Sequence, residues 1–155
     1  MSYSKFLPSV LVSILCIGSY FFSEVLTLGH GSSVWGILGF HFFHANIFHL
    51  LLNIVSLWIF HPRWTTVAVG YAVASLAAAV LVVMDVDMLL SRPTIGLSAM
   101  LFACFSRKYV SWHLPVWKVL VANIILAFLP MFSWAIHLMA FFGGYAVWYA
   151  IYRRG

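Results

Sequence analysis

Four polar side chains interrupt otherwise apolar stretches of this chain: Ser98, His137, His49 and Asn53. Their types suit hydrolysis by acyl transfer. A serine hydroxyl is a weak nucleophile until a neighbouring base takes its proton, and an imidazole such as His137 can do so. The tetrahedral intermediate needs donors around its oxyanion, which the Asn53 amide, the His49 ring and the Ser98 backbone N–H have the chemistry to provide. His49 and Asn53 are four residues apart, so a helix carries them on one face. No acid accompanies them in these apolar runs, so the expectation is a Ser–His dyad rather than a triad.

What must position these groups is a set of membrane helices. The chain has 155 residues, of which 65% are hydrophobic, 18% aromatic and only 7% charged. That composition belongs to integral membrane proteins, not to ordinary soluble domains. The length accommodates about six spans of about 20 residues with tight connections and no separate soluble domain. The expected fold is therefore all-α and polytopic, one transmembrane domain over residues 1–155 with a short central fourth helix. The net charge of +5 is spread over span ends and does not indicate nucleic acid. Cys16 and Cys104 lie inside apolar runs and read as small buried hydrophobes. No small-residue cleavage site follows the first apolar run, so it reads as a span rather than a signal peptide.

In order, span one is predicted over residues 7–28, followed by a glycine- and aromatic-rich interfacial loop over 29–43. Span two covers 44–60. Span three covers 65–84, where Gly70, Ala74, Ala77 and Ala78 permit close helix packing. The fourth run, between Arg92 and Arg107, has fourteen residues, about 21 Å as a helix. That falls short of a hydrocarbon layer about 30 Å thick. Its outer end, Thr94-Ile95-Gly96-Leu97-Ser98-Ala99-Met100, therefore stops inside the membrane, where its N–H groups need water or protein. A loop over 107–113 leads to span five, 114–129, and span six covers 134–152. With a cytoplasmic N-terminus, seven of the eight basic residues fall on the cytoplasmic side and only Arg92 outside.

Counting along each helix places the polar groups at one depth. Ser98 is nine residues before Arg107, about 14 Å. Asn53 is eight before His61, about 12 Å, and His137 is eleven before Trp148, about 17 Å. Three helices can thus present an alcohol, an imidazole and an amide to one wet layer. Each residue alone has a plainer reading: a serine bonded back to its own helix, a structural or haem-ligating histidine, an inter-helix hydrogen bond from His49 or Asn53.

Taken together these residues resemble the rhomboid family of intramembrane serine proteases. His44-Ala45-Asn46-Ile47-Phe48-His49-Leu50-Leu51-Leu52-Asn53 is similar to the family's second span; Gly96-Leu97-Ser98-Ala99 to its Gly-x-Ser-Gly motif; and Ala135-Ile136-His137 with Ala140 and Gly144 to its sixth span. The resemblance covers essentially the whole chain. It implies Ser98 as nucleophile and His137 as base, His49, Asn53 and Gly96 as oxyanion and substrate-binding residues, and His44 as a structural histidine. It also implies Ala99, Ala140 and Gly144 as small packing residues near the site. Ala99 and Ala140 replace glycines of the family pattern, and Gly36 follows Trp35 where the family often has arginine, which bears on how the first loop is anchored. The segment Gly39-Phe40-His41-Phe42-Phe43-His44 is similar to rhombosortases, the branch that trims C-terminal anchors.

The resemblance implies an endopeptidase of the inner (plasma) membrane that cuts transmembrane segments of other proteins without a metal or cofactor. Both termini would be cytoplasmic and the site would open to the outer side. Substrate is expected to enter beside span five, past an apolar cap of Phe128, Leu129, Met131, Phe132 and Trp134. One alternative is an inactive rhomboid-like protein that binds transmembrane helices. Another is a haem or metal protein, with His41 and His44 on one face as ligands.

Overall fold

In a computed structural model of the chain, residues 5–22, 33–44, 46–84, 96–127 and 133–153 are described. They form seven α-helices and a short 3₁₀ turn, with no strand among them. These are α1 (Leu7–Phe22), α2 (Val34–Gly39), the 3₁₀ turn Phe40–Phe42, α3 (Ile47–Phe60), α4 (Trp64–Val83), α5 (Ser98–Ser111), α6 (Trp117–Ala127) and α7 (Trp134–Tyr152). Among the described residues two helices, α4 and α7, are long and apolar enough to cross a membrane. A third span is possible if the bent pair Val34–Phe42 and Ile47–Phe60, at 78° to each other, counts as one.

The distribution of polarity is inverted relative to a water-soluble fold. Leu52, Ile59, Leu76, Ile124 and Ile125 are exposed, while His41, Asn53, Ser75, Ser106, Asn123 and His137 are buried. Apolar exposure on this scale marks contact with lipid or protein, and buried polar side chains inside apolar helices point to function.

α5 runs through the middle of the molecule and packs against α4 and α7. Small residues make this possible. Ala74 and Ala78 of α4, Ala99 and Ala103 of α5, and Ala140 of α7 are almost wholly buried. A Cβ on Gly144 would lie 2.5 Å from Ser106 Oγ and 2.7 Å from the Ala103 carbonyl oxygen, so α7 touches the backbone of α5 there. Gly70 of α4 is equally close to Cys104 and Met100.

Several boundaries differ from expectation. The second span is expected from His44, but α3 starts at Ile47, because Asn46 is extended (φ −160°, ψ 169°) and its side chain accepts from the His49 N–H at 2.9 Å. The fourth helix does not give way to a loop at Arg107 but continues to Ser111. There the Arg107 guanidinium is held by Thr66, Tyr152 and the Trp148 ring, and the turn comes only at His113 (φ 51°). The fifth helix starts at Trp117 rather than at Leu114, since Pro115 disfavours helical geometry in the residue before it. The expected first loop contains α2, capped by the Ser33 side chain, and the 3₁₀ turn. The expected ends of spans one and five, Arg92, Thr94, Ile95 and the cap residues Phe128, Leu129, Met131 and Phe132 lie outside the described residues.

Candidate active site

Ser98 is the first residue of α5, and Leu97 before it offers no side-chain cap. The first N–H groups of a helix have no partner within it, so α5 presents its donors and the positive end of its dipole beside the Ser98 hydroxyl. Gly96 is held in place by a hydrogen bond from its N–H to the Phe40 carbonyl, 2.9 Å. Its φ of +105° lies in the region that favours glycine.

His137 lies in the first turn of α7, buried. Its Nε2 is 2.6 Å from Ser98 Oγ. Its Nδ1 is engaged by the carbonyl of Ser133, the N-cap residue just before the same helix. Because a carbonyl only accepts, Nδ1 carries the proton and Nε2 is left with a lone pair facing the serine hydroxyl. A backbone carbonyl thus orients the imidazole where a triad would use a carboxylate. The Phe102 ring, one turn along α5 from Ser98, packs on His137 with centroids 4.9 Å apart and the planes tilted by 58°.

His49 and Asn53 face the same place from α3. A Cβ on Gly96 would come within 2.6 Å of His49 Cε1, 2.9 Å of its Nε2 and 3.3 Å of Asn53 Nδ2. Asn53 Nδ2 and His49 Nδ1 are buried without a hydrogen-bond partner among the described residues. Buried polar atoms are seldom left unpaired, and those that are call for an explanation. Asn53 and Ser98 also line one cavity of about 260 Å³, bounded by Phe60 of α3, Phe102 and Phe105 of α5, and Val119 and Ala122 of α6. The arrangement has a polarised hydroxyl, a proton acceptor, an unpaired amide donor and an apolar chamber beside them, groups whose chemistry is suited to acyl transfer.

The remaining singled-out residues are placed as follows. His44 Nδ1 bonds the Phe42 carbonyl at 3.1 Å, and its ring stands edge-on to His49 at 5.2 Å. His41 turns away to Ser75 Oγ at 3.0 Å, so the two histidines considered as joint ligands serve different partners. Ala99 and Ala140 are buried beside the site, and Gly144 sits deeper along the α5–α7 contact. Trp134 is 43% exposed. The first loop is anchored through α4: Tyr71 Oη donates to the Leu38 carbonyl at 2.8 Å, beside the His41–Ser75 bond.

The Ser133 carbonyl, Phe102 and the Asn46 cap were not foreseen. Spacing held a signal for each: Phe102 is four residues after Ser98, Ser133 four before His137, and Asn46 three before His49. No protein-family model matches the chain, and no curated protein matches its sequence.

Proposed function

We propose that this chain is an intramembrane serine protease of the rhomboid type, hydrolysing peptide bonds in or next to transmembrane segments of other membrane proteins. The observation that carries the reading is the 2.6 Å approach of His137 Nε2 to Ser98 Oγ, with the other ring nitrogen engaged by Ser133. In this reading the helices form six membrane spans with the short α5 at the centre. The termini are cytoplasmic, the site opens to the outer side of the inner membrane, and the lipid bilayer is the solvent.

In the proposed reaction Ser98 Oγ attacks the scissile carbonyl carbon while His137 Nε2 takes its proton. Negative charge gathers on the former carbonyl oxygen, where Asn53 Nδ2, His49 and the Ser98 N–H donate to it. Collapse breaks the C–N bond, and His137 returns the proton to the leaving amine. Water, deprotonated by His137, then hydrolyses the acyl-serine and restores the hydroxyl. Helical carbonyls are shielded and already hydrogen-bonded, so the substrate must unwind at the cut, which favours small or helix-breaking residues there. The cavity against α6 supports entry of the substrate beside that helix.

The test is cleavage of a model transmembrane substrate in liposomes, with labelling by a fluorophosphonate. Ser98→Ala and His137→Ala each lower cleavage by at least about 10⁴-fold, and labelling disappears with Ser98→Ala. Absence of labelling in the unsubstituted protein, with helix binding retained, would leave an inert binder in place of the enzyme.

A further inference from the structure

A second cavity, of about 360 Å³, lies at the other end of α5, where it meets the start of α4 and the α3–α4 connection. Arg63, Arg107 and Lys108 line it, with Thr66, Trp112 and Tyr152. Arg107 is fixed in place: Nε donates to Tyr152 Oη at 3.3 Å, Nη1 donates to Thr66 Oγ1 at 3.0 Å, and the guanidinium lies over Trp148 at 5.2 Å. The Lys108 ammonium sits over Phe60 at 5.1 Å and over Trp112 at 5.5 Å. Aromatic faces steer a cation without cancelling its charge.

Three cations therefore converge on one cavity, and none of the described residues is an aspartate or glutamate. The chamber is walled by both polar and apolar groups. At its mouth Trp112 is 64% exposed, and the apolar exposed face of α3 leads up to it through Val55 and Ile59. Exposed tryptophans at the end of an apolar face mark the headgroup level of a bilayer. Basic pockets between membrane helices hold anionic headgroups there.

We infer that this cavity binds the phosphate of an anionic phospholipid, with acyl chains lying along the exposed face of α3. Arg107 supplies the fixed hydrogen-bond donors, and Lys108 and Arg63 supply charge from either side. In the topology proposed above the lipid belongs to the cytoplasmic leaflet. The site does not depend on the hydrolytic reading, and helical content is the control for folding.

The experiment titrates the full-length chain, in neutral detergent, with dioctanoyl phosphatidylglycerol, dioctanoyl phosphatidylcholine or inorganic phosphate. Bound lipid is read by native mass spectrometry and by the shift in Tm. Phosphatidylglycerol is expected to bind saturably and to raise Tm more than either comparison ligand. The pair Arg63→Gln with Lys108→Gln weakens it about thirtyfold, and Lys108→Gln alone about fivefold if the pair folds poorly. Lys118→Gln, a basic residue outside the cavity, leaves it unchanged. Far-ultraviolet circular dichroism in detergent is the same in all variants. Equal binding of phosphatidylcholine, equal loss in Lys118→Gln, or unaltered affinity in the Arg63 and Lys108 variants would overturn the site. Phosphate matching phosphatidylglycerol would overturn the lipid as its source.

Discussion

Gly96→Ala is the most demanding perturbation of the proposed site, because it removes none of the reacting groups. The new methyl would sit 2.6 Å from His49 Cε1 and 2.9 Å from its Nε2. Carbon contacts settle at about 3.5–4.0 Å, so the His49 ring has to retreat by about 1 Å. Misplacement on that scale costs about 10²-fold in rate, similar to removing one oxyanion donor. Separately, φ of +105° strains any residue with a Cβ, at a cost of about 1–3 kcal/mol in stability. The two effects can be told apart. Cleavage and fluorophosphonate labelling should fall together by about 10²-fold, and Tm should drop modestly. In His49→Ala the obstructing ring is gone, so adding Gly96→Ala should cost little further rate, a non-additive pair. Full activity in Gly96→Ala, or losses that simply multiply in the double variant, would refute a role for Gly96 in seating His49.

Other consequences concern access and packing. Ala122→Phe places a ring in the cavity beside Ser98; it should block cleavage of a transmembrane substrate while a small fluorophosphonate still labels the serine. Gly144→Val forces α7 off the Ala103 backbone and should destabilise the protein by about 1–3 kcal/mol, seen as a lower Tm in detergent. Tyr71→Phe deletes the bond to the Leu38 carbonyl; hydrogen exchange over residues 34–42 should rise, at a cost of about 1 kcal/mol.

How much of this was legible in the chain varies with how local the physics is. The spacing of His49 and Asn53 is a helical period, and α7 begins and ends at the residues its pattern indicates, Trp134 and Tyr152. Depth counting brought Ser98, Asn53 and His137 to one level because helical rise is constant. It said nothing of rotation, and so did not show that His137 faces Ser98. The orienting group for the imidazole was invisible for a different reason: it is a backbone carbonyl, which every residue carries, so no residue type announces it. The extension of α5 past Arg107 escaped because charged residues ordinarily end spans, whereas here Thr66 and Tyr152 from other helices receive the guanidinium. Tertiary partners of that kind have no local signature.

The packing around Ser98 is uneven, and the proposed chemistry needs it to be. On one side α4, α5 and α7 meet through Ala74, Ala103, Ala140 and Gly144, with backbones in contact. Such contacts leave little room for rotamer change, so they fix Ser98 against His137. On the other side, α3 and α6 are separated from α5 by the cavity of about 260 Å³. Sealed and empty inside a core, a void of that size would cost about 6 kcal/mol. Opened between helices whose outer faces are apolar, it can instead be filled by acyl chains, which in the proposed reaction a substrate segment displaces. A rigid half that holds the reacting atoms and a yielding half that admits the peptide are opposite demands on packing. Under the proposed function, the small residues of α4 and α7 serve the first demand and the chamber lined by Phe60, Phe102 and Phe105 serves the second.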